Sequence, residues 1–185
     1  IKAWDNQQPF MYVGFDHVKG SQLLADWYMD QDLVSKDFGL MHYPKGYISQ
    51  VRGDSFAQYT KSNSNYNLVS SYYTDSTRQN ANDNANNMLI ENSNLGFIYA
   101  SSTDIALGVS DAIFEHKLQN KVLVNGWGGG SAELEALSQG KLDVTVMRMN
   151  DDNGVAMAEA IKLDLSGKES QVPVIYSGDF VVVTN

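Results

Sequence analysis

The sequence predicts a doubly wound α/β fold, a parallel sheet with helices on both faces. Short apolar runs alternate with longer segments whose apolar residues recur every three or four positions, along the whole chain. Most of the apolar runs are separated by a single helical segment, which requires parallel pairing through right-handed crossovers. Apolar residues make up 43% and charged residues 19% of 185 residues, an ordinary globular balance that supports one substantial core.

Met11–Phe15 reads as the first strand, and Gly20–Met29 as a helix with Leu23, Leu24, Trp27 and Tyr28 on one face. Phe38–Tyr43 is the next strand, followed by a helix over Val51–Lys61 carrying Val51, Phe56 and Tyr59. Leu68–Tyr73 is extended, and Thr77–Glu91 places Ala81, Ala85, Met88 and Leu89 at helical spacing, so the Asn-rich stretch 80–87 reads as a polar-faced surface helix. Lys61–Asn67 has the composition of a linker. Gly96–Ala100 is a buried strand, and Ser102 or Thr103 caps a helix through Ile105, Val109, Ala112 and Ile113. Val122–Val124 is a strand; Ser131 opens a short helix that Gly140 closes. After the strand Val144–Met147, Asp151 and Asp152 favour a helix amino end, with Val155, Ala158, Ile161 and Leu165 as its buried stripe. Val174–Tyr176 and Phe180–Val183 finish the chain as extended segments, and no internal repeat or domain boundary is legible.

Charge and composition narrow the function. Thirteen basic against twenty-two acidic residues give a net charge of −9, the wrong sign for a phosphate-backbone surface, so no nucleic-acid partner is expected. There is no cysteine, which removes disulfides, thiolate catalysis and cysteine-ligated zinc. No apolar run approaches the ~20 residues that span a bilayer. His17, His42 and His116 lack metal-ligand spacing, so neither a metal nor another cofactor is expected. No Gly-x-Ser-x-Gly elbow occurs, and no nucleophile, base and oxyanion hole assemble, so the chain reads as a binding protein and not an enzyme.

Open α/β sheets bind ligands beyond the carboxyl ends of their strands. That rule selects Arg52, then Ser102, Thr103 and Asp104, then Asn125, Trp127 and three glycines, then Arg148, Asn150 and Asp151. Arginine forks suit paired anionic oxygens, and a tryptophan face suits a sugar-like ring. The ligand-binding set expected from these positions is Arg52, Thr103, Trp127 and Arg148, with Asn125, Asp104 and Asn150 as secondary contacts. Each has a structural alternative: an Arg52–Asp54 surface ion pair, a core Trp127, a capping Thr103. Gly126–Ser131 opens a helix after a strand as a dinucleotide loop does, but Ser131 takes the place of the third glycine; a loose anion-binding role for its amides is the weaker expectation. Arg52-Gly53-Asp54 spells an adhesion tripeptide, which at a helix start is read as coincidence.

The segments 8–17, 46–54 and 102–108 resemble type I periplasmic binding proteins. The block from Val124 through Met157, with Asn125-Gly126-Trp127-Gly128-Gly129-Gly130-Ser131-Ala132-Glu133-Leu134 and Val146-Met147-Arg148-Met149-Asn150-Asp151-Asp152, resembles the LuxP-type autoinducer-2 receptors more specifically. That resemblance implies a two-lobed periplasmic protein that closes on a furanosyl borate diester and signals to the periplasmic domain of a hybrid sensor histidine kinase. In the family two arginines flank the borate charge and match Arg52 and Arg148, while a threonine and a tryptophan match Thr103 and Trp127. Sugar binders of the superfamily tend to carry aspartate where this chain has Trp127, a departure that disfavours a plain pentose. Residues 1–185 then form a single carboxyl-terminal lobe, with 1–10 and 177–185 near the inter-lobe crossings and the amino-terminal lobe absent. The face around the four ligand residues is expected to be open to solvent, and tight binding to be lost. The alternatives are a sugar-uptake binding protein and the effector domain of a LacI-like transcription regulator.

Overall fold

The structure is a computed structural model that describes residues 11–33 and 35–185, and for residues 150–152 the backbone alone. The expected crossing segment 1–10 lies outside the described residues. Where the sequence reads as one lobe without a boundary, the contacts fall into two compact units: described residues 11–16 with Arg148–Val181, and His17–Met147 with Val182–Asn185.

The larger unit is the doubly wound sheet the sequence predicts. In chain order, with β1 (Tyr12–Phe15) assigned to the smaller unit, it contains α1 (His17–Met29), β2 (Asp37–His42), α2 (Tyr47–Asn63), β3 (Asn67–Tyr73), α3 (Arg78–Glu91), β4 (Leu95–Ala100), α4 (Thr103–Glu115), β5 (Leu123–Gly128), α5 (Ser131–Ser138) and β6 (Val144–Arg148). The strands lie in the order β3-β2-β4-β5-β6, with parallel pairing throughout and β8 (Phe180–Thr184) beyond β6. Strand order reverses between β2 and β4, so their carboxyl ends flank the topological switch point. At the other edge of the sheet, β3 pairs with β2 through a register shift: Phe38 faces Leu68 and Gly39 faces Ser70, leaving Val69 as an extra residue. Leu68, Val69 and Tyr73 are exposed.

β4 shows why the sheet is covered twice. Successive strand side chains point to opposite faces, and all six residues of β4 are buried. Phe97 stacks on Tyr28 of α1 at 3.9 Å and on Phe38 at 4.9 Å, with Phe56 of α2 edge-on at 5.8 Å. Ile98 and Ala100 join the opposite cluster with Ala81, Ala85, Met88 and Leu89 of α3 and Ile105, Val109, Ala112 and Ile113 of α4. The stripes of α3 and α4 therefore stand where the sequence placed them. Helix α2 differs. It begins at Tyr47 and buries Arg52, Gly53, Phe56 and Thr60, so the buried face is rotated from the expected Val51–Phe56–Tyr59 and carries an arginine inward. Gly108 permits the close approach of α3 and α4, because a Cβ there would stand 2.3 Å from the Arg78 carbonyl oxygen.

Strand β5 is longer than expected, running through Gly128, so Asn125 and Trp127 lie in the strand and not in the loop after it. The β4–β5 ladder pairs Phe97 with Leu123 and Ile98 with Val124. Asn125 then continues it by side chain, donating Nδ2–H to the Ala100 carbonyl at 2.8 Å and accepting the Ala100 N–H at 3.1 Å. A polar side chain thus mimics a backbone pair inside the core. Near the other end of β5, the Asp143 carboxyl accepts the Val124 N–H at 2.7 Å, and burial pushes it up to about 6. Its folded value exceeds the unfolded one of about 3.9, so the folded state holds the proton more tightly. The stability it contributes is full below pH ~4 and is lost as pH rises through ~6. Urea titrations across that range should show wild type losing about 2–3 kcal/mol against Asp143→Asn; parallel pH profiles would rule out this assignment.

Among its described residues the smaller unit has a two-stranded parallel sheet, one α-helix and a short 3-10 turn at Glu169–Gln171. β1 pairs with β7 (Ile175–Gly178), and α6 (Asn150–Leu165) packs on both. The Phe15 and Phe180 rings meet at 5.3 Å. The stripe Val155, Ala158, Ile161, Leu165 has the helical period the sequence shows, but it is not buried: Ile161 is 58% and Leu165 81% exposed. Periodicity identified the apolar face correctly. Two strands, however, provide no sheet surface wide enough to cover it among the described residues.

Candidate functional site

Arg52 lies one turn into α2, at the switch between β2 and β4. Its Nη1–H donates to the Ser101 carbonyl at 2.8 Å, at the carboxyl end of β4. Its Nε–H donates to Nδ1 of His17, the first residue of α1, at 3.3 Å. The guanidinium carbon sits 3.7 Å from the centroid of the Trp127 ring, a cation–π contact. The indole is held from its edge, donating Nε1–H to the Tyr99 hydroxyl at 2.8 Å. Ser21 Oγ donates to the Arg52 carbonyl at 2.9 Å, so the Tyr99 proton is directed to Ser21 at 3.2 Å. A chain of hydrogen bonds therefore runs Trp127, Tyr99, Ser21, Arg52 and closes on itself through the stacked ring. Burial pushes the Tyr99 hydroxyl up to about 12, against the Ser21 and Trp127 bonds and the Arg52 charge that lower it, so it is a neutral member of the chain.

This arrangement corrects the expected open face. Arg52 is 8% and Trp127 2% exposed. Trp127 is a core residue whose ring carries Arg52, and the Arg52–Asp54 surface ion pair gives way to an inward guanidinium. The chemistry that results is a buried, always-charged group held by Ser101, His17 and the Trp127 ring among its contacts.

The loop after β5 is built by a residue the sequence reading passed over. Glu133 is 0% exposed and accepts the Trp127 N–H at 2.9 Å, the Gly129 N–H at 2.8 Å and the Thr145 hydroxyl at 2.5 Å. The Trp127 and Gly129 amides expected for a loose anion site are thus taken by the protein's own carboxyl group. Gly129 has φ +69°, and its missing Cβ avoids Met147, so the turn into α5 requires glycine. A glutamate three residues after Gly130 at a helix start is the signal that marks it.

Of the other expected residues, Thr103 does not cap α4: its Oγ1 donates to the Trp127 carbonyl at 3.4 Å, tying α4 to β5. Ser102 occupies the N-cap position without a side-chain cap bond, and its Oγ is buried and unpartnered. Asp104 is exposed in the first turn of α4. The Asn125 amide is engaged by Ala100 as described, and its Oδ1 also accepts from Tyr28 at 3.4 Å. Arg52, Thr103, Trp127 and Asn125 are thus one connected neighbourhood of the larger unit. Arg148 belongs to the smaller unit, where its guanidinium lies 5.8 Å from the Phe15 ring centroid and its Nε is buried without a partner. Asn150, the first residue of α6, is described by its backbone alone. Among the described residues no cluster of His, Asp or Glu is placed to hold a metal ion, and no helix is long and apolar enough to cross a membrane.

A parallel, doubly wound sheet flanked by helices matches one lobe of a type I periplasmic binding protein. The chain belongs to that family: the model described as periplasmic binding protein domain matches residues 4–169. Among solved structures, it is similar to a periplasmic solute-binding protein of an ABC transporter from Actinobacillus succinogenes with bound D-allose (TM-score 0.82, 23% identity over 95% of this chain and 62% of that one). A sugar-binding protein of a sugar ABC transporter from Bacillus halodurans aligns with TM-score 0.90 at 13% identity, over 97% of this chain and 65% of that one. XylFII, solved as a XylFII–LytSN complex, aligns with TM-score 0.79 at 21% identity, over 94% of this chain and 61% of that one. The chain thus spans less than two thirds of the length of these relatives.

Proposed function

We propose that this chain is the carboxyl-terminal part of a periplasmic receptor for autoinducer-2 in its furanosyl borate form, signalling through a membrane sensor kinase. The observation that carries the reading is Arg52, an 8% exposed guanidinium at the carboxyl ends of β2 and β4, oriented by Trp127 and Ser101. A cation placed there, its stem already ordered, suits an oxygen-rich anion better than a neutral sugar. In the larger unit Thr103 and Trp127 lie beside Arg52; in the smaller unit Arg148, with a buried unpartnered Nε, is the second cation this reading assigns to the ligand. Asp104 and Asn150 are secondary, whereas Asn125, fully buried and bonded to Ala100, serves the strand that carries Trp127 and not the ligand. On this reading an amino-terminal lobe supplies the rest of the ligand shell. XylFII in its complex with LytSN supports a protein partner for this fold.

A second reading is sugar uptake, favoured by the relative that holds D-allose. The two are separated by titrating the full-length protein with autoinducer-2, with and without borate, beside an Arg52→Ala, Arg148→Ala double variant. Borate-dependent binding that weakens by about 2–5 kcal/mol per arginine is the expected result. Binding of ribose or galactose with autoinducer-2 ignored would transfer the chain to sugar uptake.

A further inference from the structure

We infer that His17 is the positioning residue for Arg52, acting as a neutral imidazole that accepts the guanidinium Nε–H. The inference builds on the proposed receptor reading and assigns a role within the same site. Arginine has donors and no acceptor, so the 3.3 Å contact from Arg52 Nε fixes His17 Nδ1 as the acceptor and leaves the ring proton on Nε2. The imidazole also packs beside the Trp127 ring, centroids 5.7 Å apart and tilted by 53°. His17 thus holds the two groups that hold each other.

The geometry defines what each contact does. The Trp127 ring, 3.7 Å from the guanidinium carbon, holds the group against its face without a directional bond to any one nitrogen. The Nη1–H bond to the Ser101 carbonyl at 2.8 Å pins one corner. The Nε–H bond to His17 adds a second directional bond, from a different nitrogen of the fork. Three elements are tied by this clamp: α1 through His17, α2 through Arg52, and the end of β4 through Ser101. A bidentate arginine loses its directional advantage if it swivels, so the imidazole controls how sharply Arg52 presents its donors to a paired-oxygen anion.

The test uses the full-length protein with nitrogen-15 in its histidines and arginines. The expected His17 signature is an unprotonated Nδ1, with an Arg52 Nε–H resonance that moves in His17→Leu and is retained in His17→Asn, whose amide oxygen can replace the acceptor. Titration with autoinducer-2 plus borate should show a loss on the order of ten-fold in His17→Leu, recovered in His17→Asn. Arg52→Lys has no Nε to donate, so His17→Leu should cost nothing further in that background. A protonated Nδ1, an Arg52 resonance indifferent to His17→Leu, or an undiminished loss in the Arg52→Lys background each overturns the assignment. A wild-type protein that ignores autoinducer-2 refutes the receptor reading, while the resonance arm still decides the clamp; a Leu variant that fails to fold leaves the wild-type tautomer and the Asn variant to decide it.

Discussion

Glu133→Ala should cost about 4–5 kcal/mol in urea denaturation, the largest loss of any single polar substitution proposed for this chain. The Glu133 carboxyl group is 0% exposed and serves three donors, the Trp127 and Gly129 amides and the Thr145 hydroxyl. Each donor stranded without water costs roughly 1–3 kcal/mol, and removal of the side chain adds a cavity. Glu133→Gln is the informative control. Oε1 takes the Trp127 N–H and Oε2 takes the other two, so whichever oxygen becomes an amide NH2 faces at least one donor. A smaller loss of about 2–3 kcal/mol is expected there. Because Trp127 carries Arg52, both variants should also alter the near-ultraviolet circular dichroism of the buried indole. An alanine variant within ~1 kcal/mol of wild type would mean that the loop finds its hydrogen bonds elsewhere.

Phe97→Ala should cost about 3–5 kcal/mol, the usual range for emptying a fully buried aromatic site. Phe97 stacks on Tyr28 and Phe38 and takes Phe56 edge-on, so a strand, two helices and a neighbouring strand lose their common contact at once. Aromatic pairing adds about 0.5–1.5 kcal/mol beyond burial. Phe97→Leu keeps most of the volume but none of the stacking, and a loss of about 1–2 kcal/mol is expected. Equal urea midpoints for the leucine and alanine variants would show that ring stacking, and not filled volume, dominates at this site.

Much of the fold was legible because the helices of the larger unit announce themselves by period and cap. The spacing of Ala81, Ala85, Met88 and Leu89, with Thr77 at its head, gave α3, and Thr77 does accept the Asn80 N–H. Helix α2 was harder. Its buried face contains an arginine and a glycine, which a hydrophobicity count reads as solvent-facing. The end of β5 was hidden for the same reason: Asn125, Gly126 and Gly128 look like a turn until the Asn125 amide is seen substituting for a ladder. Strand-end rules give location and not burial, so the contact between Arg52 and the Trp127 ring is not legible in the sequence. Glu133, Tyr99, Ser21 and His17 were passed over. Tyr99, Ser21 and His17 act on other residues of the site across separations that only the fold closes, whereas Glu133 is six residues from Trp127 and marked by its place at the start of α5.

The single extra residue at Val69 has a consequence for the company this protein keeps. β3 ends the sheet with Leu68, Val69 and Tyr73 exposed and no charged side chain along its length, a composition that invites another strand to add on. The bulge breaks the even spacing of outward N–H and C=O groups and sharpens the local twist. An incoming strand then finds only short stretches in step with it. One extra valine is thus what keeps this exposed, uncharged border from offering a second strand an unbroken ladder.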